Sequence, residues 1–253
     1  MEHWSANRSF KDNICRLVLT EGGYLFDMAQ EIISSELREL SVYNTILSAI
    51  AQGHNKLNDL FLTTGYSRAK ISVYMKNLSH FDIVEKIVSF ETGGWDNAKK
   101  GIYRIKDTFV NFWFKFVFPY MSDLYRLTPE DFYDKHIEKQ LDSYMNRYFC
   151  DVCMEYLQLL NKIGRVPFAI HKMGTWIGKT GTIDIIAQSS DRQNIVGLCN
   201  WEKPYLTMEM CEKLYESMEK ARVQSNHFYL FSAKAFEPAL IEVAKKDSRF
   251  ELI

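Results

Sequence analysis

The chain has 253 residues, nearly half of them apolar and a quarter charged, which predicts a packed globular protein with room for two modest domains. Its formal net charge is −1, so no field of the whole chain attracts it to nucleic acid or to anionic lipid, and such binding must come from a local patch. The most apolar run, Phe109 to Met121, is too short to span a bilayer and contains Lys115, so no membrane association is expected.

The cysteine pattern indicates a reducing compartment. Five cysteines are an odd number without the spacing of a disulfide framework. Cys150 and Cys153 form a Cys-x-x-Cys pair, but no second Cys or His pair stands at zinc spacing, so the sequence predicts no metal site there. No cleavable signal pattern opens the chain. We therefore expect a cytoplasmic protein.

The first part of the chain is predicted to be helical. Residues 1–40 have helical apolar spacing with a break at a glycine pair, and too little apolar surface for a core of their own. From residue 41 the spacing predicts three short helices, the second of which stops at Gly65. Ser41 and Ser67 are expected to cap the first and the third.

Two strand-like runs, Ile83–Phe90 and Gly101–Ile105, follow the third helix. Helix, helix, glycine turn and helix is the order of a helix-turn-helix, and the added hairpin predicts a winged helix over residues 41–107. Residues 108–140 hold a dense aromatic cluster, which we expect to form linker helices that dock two domains. A base-stacking surface is the alternative for this cluster.

The predicted winged helix carries a local excess of positive charge. Between Gly53 and Lys106 there are nine basic and five acidic residues, and such an excess supplies phosphate contacts. The third helix would enter a major groove and the wing tip would contact the backbone. The candidate DNA-binding residues are Arg68, Lys70, Ser72, Lys76, Asn77, Lys99 and Lys100. A winged helix used for protein contacts is the alternative.

The apolar spacing of residues 141–253 predicts an α/β domain. Its helices and strands are expected in the order αβββαβα, followed by a last short strand. Its first helix is long and amphipathic, and its predicted face consists of Leu141, Tyr144, Tyr148, Val152, Tyr156 and Leu159. Strands are expected at 166–172, 182–187, 195–201, 227–232 and 250–253, and further helices at 208–223 and 236–246. A domain of this length is common.

The stretch Gly174–Thr180 resembles a phosphate-binding loop. Its two glycines stand one residue too close together, and the pattern after Thr180 predicts a strand instead of the required helix. No helix N-terminus is then available to receive a phosphate. We therefore reject a nucleotide-phosphate site in this chain.

Asp184 stands in an otherwise apolar predicted strand, and the next strand carries Leu198, Cys199 and Asn200. Metal-dependent phosphodiester cleavage needs clustered carboxylates that hold a hard cation such as Mg²⁺. Residues two apart on a neighbouring strand share a face and can converge on such an aspartate. An isolated aspartate in an apolar strand needs a partner or solvent, and we expect Lys179 or Lys203 to pair with Asp184.

Several stretches in fixed order carry a resemblance to a known family. They are Ser35–Glu39, Ile46–Gly53, Tyr74–Leu78, Lys100–Asp107, Phe112–Pro119, Trp176-x-Gly178, Ile183–Ala187 and Gly197–Trp201. Over nearly its whole length the chain resembles the C-terminal part of archaeal and bacterial AAA-type ATPases. In that family a P-loop ATPase domain precedes a winged helix and a DUF234-type domain related to PD-(D/E)xK nucleases. The resemblance implies a winged helix-turn-helix followed by a PD-(D/E)xK-like domain, hence an α/β protein that is α+β overall.

The departures from the family pattern bear on catalysis. As the resemblance implies, members of that family carry Phe-Glu on the long helix, Ile-Asp on the first strand and Gly-Glu-Cys-Lys-Trp on the second strand. Here Cys150, Leu198 and Asn200 occupy the glutamate, glutamate and lysine positions, which leaves Asp184 alone among the four. The resemblance therefore implies an inactivated nuclease fold, without catalytic residues or resident metal, that serves as a DNA-binding or partner-binding accessory module.

Two alternatives stay open at this stage. One is an active Mg²⁺-dependent nuclease with a migrated site at Asp184 and Glu202, which Lys203 follows. The other is a protein-interaction module without nucleic-acid binding. No cofactor is expected, because ATP would bind only to an ATPase domain that this sequence lacks. The expected partners are DNA, an AAA-type ATPase domain or further protomers.

The resemblance also divides the chain. Residues 1–40 resemble the end of an ATPase lid, 41–107 the winged helix, 108–140 the aromatic-rich linker and 141–253 the DUF234-type domain. We expect the chain to be either a fragment of such an ATPase or a shortened relative. A P-loop reading frame just upstream would distinguish these two possibilities.

Overall fold

The computed structural model describes residues 3–90 and 101–253, and the chain divides into two compact units. The N-terminal unit comprises Met1–Ile87 and Gly101–Gln140, and the C-terminal unit comprises Val88–Lys100 and Leu141–Ile253. Within the described ranges, no helix combines the length and the apolar character that crossing a membrane requires. The chain is a mixed α/β protein in which helices precede a five-stranded sheet.

The N-terminal unit is built mainly of short helices. They are α1 (Phe10–Ile14), α2 (Met28–Glu36), α3 (Leu40–Ala51), α4 (Leu57–Thr64), α5 (Arg68–His80), α6 (Thr108–Phe112), α7 (Met121–Leu124) and α8 (Pro129–His136). π-Helical turns follow α1 and α6, at Cys15–Leu19 and Trp113–Val117, and a 3-10 turn, Phe118–Tyr120, precedes α7. Strands β1 (Val84–Val88) and β2 (Gly101–Ile105) form a two-stranded sheet.

The helix boundaries around α5 follow from local chemistry. Gly65 ends α4 with φ +70°, a left-handed conformation that glycine adopts without a steric penalty. Ser67 caps α5 as predicted, because its hydroxyl accepts a hydrogen bond from the backbone N–H of Lys70. The predicted cap at Ser41 is wrong: α3 begins one residue earlier, at Leu40, with Glu39 in the N-cap position.

The aromatic cluster of residues 108–140 forms core rather than a binding surface. Trp113, Phe114 and Phe116 are fully buried, and Trp113 packs edge-on against Phe114 at a ring-centroid distance of 5.1 Å. Stacking on nucleobases requires exposed rings, so the base-stacking alternative fails for these three residues.

The C-terminal unit alternates helices and strands. Its elements are α9 (Glu138–Lys162), β3 (Lys172–Ile177), β4 (Thr182–Gln188), β5 (Asn194–Asn200), β6 (Tyr205–Leu206), α10 (Met208–Ala221), β7 (His227–Ser232), β8 (Ala235–Phe236), α11 (Pro238–Lys246) and β9 (Phe250–Leu252). Five strands form one sheet in the order β3-β4-β5-β7-β9, and β6 pairs with β8. Strands β3, β4 and β5 are antiparallel neighbours, whereas β5, β7 and β9 run parallel.

The strand predicted at 166–172 is wrong, because the first strand of the sheet is β3, which begins at Lys172. The segment before it is a loop. Pro167 has no N–H to donate to a neighbouring strand. The side-chain amide of Asn161 bonds both the N–H and the C=O of Ile170, at 2.9 and 3.2 Å. These bonds take the place of a strand partner.

The predicted face of the long helix α9 is also wrong in part. Val152, Tyr156 and Leu159 are exposed, whereas Cys153 and Leu157 are buried against the sheet. The helix carries apolar residues on two sides, and the sequence pattern did not show which side would face the sheet. Cys150 therefore lies on the packed side of α9, next to β5.

Gly197 sits where two strands approach closely, opposite Ile185 of β4. A Cβ at this position would lie 2.9 Å from the Cβ of Ile185, which is too close without a shift of the backbone. Gly174 of β3 is less crowded, because a Cβ there would meet the ring of Phe90 at 3.4 Å. Gly197 and Gly174 are thus two glycines of the same sheet, of which only Gly197 has no room for a Cβ.

We predict that Gly197→Ala lowers the free energy of unfolding by about 1–3 kcal/mol, since overpacking a core displaces its neighbours. Gly174→Ala is expected to stay within roughly 1 kcal/mol of wild type, because alanine also relieves the entropic cost of a strand glycine. Urea denaturation of both variants measures the difference. Equal effects of the two substitutions would contradict the close packing at Gly197.

Candidate functional site

A bulge in β4 determines where Asp184 points. Gly174 of β3 pairs with Ile186 of β4, and Trp176 pairs with Ile183. One residue of β3 therefore faces two residues of β4, which is the count of a β-bulge. The bulge reverses the alternation of side chains: Ile183 and Ile186 pack on the α10 side of the sheet, while Ile185 packs on the α9 side.

The carboxylate of Asp184 accepts a hydrogen bond from a backbone N–H of β5 that lies beyond the last residue pair of β4 and β5. The pairing of β4 with β5 extends only as far as Ile185 opposite Gly197. Beyond that pair, Oδ2 of Asp184 accepts the backbone N–H of Cys199 at 2.9 Å. The hydroxyl of Thr175 donates to the backbone carbonyl of Asp184 at 2.8 Å. These two bonds fix Asp184 at the end of the strand pair.

Thiols surround the carboxylate of Asp184. One ligand atom each from Cys150, Asp184 and Cys199 lies within 4.8 Å of the others. The Cys199 side chain packs in one core cluster with Cys150 and Cys153 of α9. These thiol contacts, together with burial, raise the pKa of Cys199 well above its usual value. In the metal-free protein Cys199 is therefore a neutral thiol.

Burial acts on Asp184 as well. It raises the pKa of Asp184 to about 6, against the smaller opposing effect of the hydrogen bond from Cys199. Asp184 itself is only half-buried and keeps some accessible surface. Within the described residues no lysine, arginine or histidine forms an ion pair with Asp184, so the expected pairing with Lys179 or Lys203 is absent.

Leu198 and Asn200 do not join Asp184. Leu198 packs against the cores on the α10 side of the sheet. Asn200 is buried, and its side-chain amide closes the turn to Lys203: it accepts the N–H of Lys203 at 3.0 Å and donates to the Lys203 carbonyl at 2.9 Å. Both positions therefore serve the fold.

Glu202 does not reach Asp184 either. It forms an ion pair with Lys203 at 3.2 Å, and it is not part of the group of ligand atoms around Asp184. The backbone carbonyl of Glu202 accepts a hydrogen bond from Lys234, which also pairs with Asp142 of α9 at 2.8 Å. The structure thus does not place a second carboxylate beside Asp184 within the described residues.

The segment that contains these residues is similar to a known protein family. Residues 113–214 match the DUF234 family. That family is described as archaeal and bacterial proteins of unknown function. The matched segment contains α9, β3, β4 and β5, and with them Cys150, Asp184 and Cys199.

A curated relative extends the likeness beyond the DUF234 match. An uncharacterized protein of Methanocaldococcus jannaschii, MJECL04, is 30% identical over 173 residues, which is 68% of this chain. The chain spans 38% of that relative's length. No solved structure matches.

Helix α5 of the N-terminal unit is the other candidate site. Arg68, Lys70, Ser72 and Lys76 are exposed, and α5 contains no acidic residue. Aromatic rings hold two of the cations in place: Arg68 stacks on Phe61 at 4.1 Å from the ring centroid. Lys70 lies over a neighbouring tyrosine ring at 4.5 Å.

The remaining predicted DNA-binding residues differ from these. Asn77 is half-buried and donates to the hydroxyl of Tyr43 at 2.9 Å, so its amide is engaged inside the unit. Lys99 and Lys100 lie outside the described residues. Lys106 and Arg104, which contributed to the predicted excess of charge, form ion pairs with Asp82 and Glu85. The excess positive charge is therefore concentrated on α5.

Sequence reasoning named Cys150 as a replaced catalytic position, rejected the Cys150-x-x-Cys153 pair as a metal site, and missed Cys199 as a site residue. The available signal was a Cys-x-x-Cys pair on a helix together with a cysteine in a buried strand. Its meaning depends on the packing of α9 against β5, which periodicity does not determine.

We predict that Asp184→Asn changes the pH dependence of stability in buffer containing a metal chelator. Because the pKa of Asp184 is raised to about 6, its carboxyl group keeps a proton in the folded state at a pH where the unfolded state has already released it, above about 4. Wild type therefore loses stability as the pH rises from about 4 through 6, by roughly 1–3 kcal/mol. The asparagine variant lacks this loss while keeping an acceptor for the Cys199 N–H.

Urea denaturation at pH 4.5 and pH 7.5 measures this difference. The gain in stability of the variant over wild type should be clearly larger at pH 7.5 than at pH 4.5. Asp191→Asn, a substitution of an exposed aspartate in the turn between β4 and β5, is the control. A constant difference between Asp184→Asn and wild type across this range would show that Asp184 does not titrate there.

Proposed function

We propose that this protein is a non-catalytic DNA-binding module, in which the N-terminal unit is a winged helix and the C-terminal unit is an inactivated PD-(D/E)xK-like domain. The observation that carries the proposal is helix α5, which exposes Arg68, Lys70 and Lys76 without one acidic residue in a chain of net charge −1. Positive charge gathered on one helix is the electrostatic footprint of nucleic-acid binding.

The order of elements around α5 supports this proposal. Helices α3, α4 and α5 are followed by the two-stranded sheet of β1 and β2, the order in which a helix-turn-helix presents its third helix to a major groove. The first turn of α5 adds the positive end of its helix dipole to Arg68 and Lys70. Val73 is 58% exposed on the same helix and can contact a thymine methyl group.

An accessory role beside an AAA-type ATPase domain belongs to the same proposal. The resemblance of the sequence to that family supports it. A cytoplasmic location fits the five cysteines, all of which are free thiols.

A protein-interaction module is the second candidate, and α9 carries the observation that favours it. Val152, Leu159 and Ile163 are each more than half exposed, and Tyr156 lies between them with 39% exposure. The spacing of Val152, Tyr156 and Leu159 places them along one side of α9, and Ile163 directly follows the end of that helix. Contiguous exposed apolar surface of this kind marks interaction sites.

We predict that the full chain shifts duplex DNA at low salt and that Arg68→Ala with Lys70→Ala weakens this binding. Loss of two phosphate contacts should reduce the slope of log affinity against log salt by about 2. Fluorescence anisotropy with a labelled duplex over a salt series gives both values.

The matched control removes two exposed lysines from the C-terminal unit, Lys245→Ala with Lys246→Ala, and should leave the affinity unchanged. Equal weakening by both double variants would indicate attraction by overall charge instead of binding through α5. If the folded wild type does not shift DNA even at low salt, the protein-interaction module is favoured.

The site around Asp184 supports the absence of nuclease activity. Catalysis by Mg²⁺ relies on oxygen ligands, and the ligand-type neighbours of Asp184 within the described residues are Cys150 and Cys199. The rival site would need Glu202, which is paired with Lys203.

We predict that wild type leaves supercoiled plasmid intact with Mg²⁺ or with Mn²⁺, because one carboxylate holds these cations poorly. Agarose electrophoresis after prolonged incubation provides the measurement. Asp184→Asn and Glu202→Gln, purified in parallel, identify any contaminating nuclease. Cleavage that wild type shows and both variants lose would establish the migrated site.

A further inference from the structure

Three thiols and one carboxylate converge between α9 and the sheet. Cys150 and Cys153 are three residues apart on α9 and therefore share one side of the helix, and Cys199 faces them from β5. Asp184 reaches the same point from β4, within 4.8 Å of the sulfurs of Cys150 and Cys199.

These separations suit one small cation. Zinc binds thiolate sulfur at about 2.3 Å and carboxylate oxygen at about 2.0–2.2 Å, so two ligand atoms at the tetrahedral angle lie about 3.4–3.8 Å apart. The ligand atoms of Cys150, Asp184 and Cys199 lie within 4.8 Å of one another, so they would move closer by about 1 Å at most when the ion binds.

The surroundings of the cluster favour a bound cation. Asp184 is held among apolar residues with no ion pair in the described part of the chain, and a divalent cation would offset the cost of burying its charge. The N–H of Cys199 already orients the carboxylate of Asp184, in the way that outer partners orient a ligand, and the hydroxyl of Thr175 holds the backbone carbonyl of the same residue. Cys150 and Asp184 are only half-buried, which leaves a route for an ion to enter.

We propose that Cys150, Asp184 and Cys199 bind one thiophilic divalent cation, and that Zn²⁺ is the ion which this donor set fits. Sulfur donors select zinc and similar soft ions, whereas Mg²⁺ and Ca²⁺ require oxygen. Each thiol that coordinates the ion releases its proton to solvent. The site would tie α9 to the ends of β4 and β5, and it is independent of DNA binding by α5.

The test is a titration of the full chain, purified with a phosphine reductant and freed of metal. Co²⁺ reports on the ligands, because tetrahedral thiolate coordination produces intense visible bands and a sulfur-to-cobalt charge-transfer band. We expect one equivalent of Co²⁺ to bind, Zn²⁺ to displace it, and excess Mg²⁺ to leave the spectrum unchanged. Zn²⁺ should also raise the melting temperature, because it binds only the folded state.

Substitutions assign the ligands. Cys150→Ser and Cys199→Ser should each reduce the charge-transfer band and weaken Zn²⁺ binding at least about tenfold, since even changes behind the ligands cost roughly 10–100-fold. Cys211→Ser is the control, because Cys211 is equally buried in the same unit but packs in another core, on α10. It should bind Zn²⁺ as wild type does.

Several results would overturn the proposal. They are a wild-type Co²⁺ spectrum without thiolate bands, binding that Cys150→Ser and Cys199→Ser leave intact, and equal weakening by Cys211→Ser. The wild-type spectrum decides the matter even if a serine variant fails to fold. Asp184→Asn, which keeps the size and shape of the side chain, gives a further comparison and should weaken Zn²⁺ binding while retaining the thiolate bands.

Discussion

The hydrogen bond from the Cys199 N–H to the carboxylate of Asp184 stands where the backbone pairing of β4 and β5 ends, and the candidate site in the C-terminal unit depends on it. A strand of regular alternation would direct Asp184 toward the same side as Ile186. The bulge opposite Thr175 directs it toward α9 instead. A carboxyl group is thereby placed among thiols in an apolar interior, where its negative charge has no cationic partner in the described part of the chain.

The residues around Asp184 are not those that the resemblance of the sequence to nucleases would imply. In the resemblance, the positions of Leu198 and Asn200 correspond to a glutamate and a lysine. Here both side chains make contacts that stabilise the fold. Leu198 is packed on the α10 side, and the Asn200 amide closes a turn. What surrounds Asp184 instead is sulfur. Oxygen ligands suit hard cations and sulfur suits soft ones, so the thiols of Cys150 and Cys199 beside Asp184 suit a different class of ion from Mg²⁺.

The N-terminal unit offers a different kind of surface, governed by charge. Ion pairs neutralise Arg104 and Lys106 near the two-stranded sheet, whereas Arg68 and Lys70 of α5 contact aromatic rings. An aromatic ring restrains a cation without neutralising it. Those side chains therefore keep their full charge, as the proposed DNA binding requires.

The sequence by itself determined the type and order of most elements, because apolar periodicity, the glycine that ends α4 and the Ser67 cap act through neighbouring residues. It also singled out Asp184, since a carboxylate in an apolar strand is visible without a structure. It failed for the loop before β3, where the Asn161 amide replaces strand pairing, and for the packed side of α9. Only the tertiary structure brought Cys150, Cys153, Asp184 and Cys199 together. Their meeting depends on the register of β4 and on which side of α9 meets the sheet, and both are decided by contacts between residues far apart in the chain.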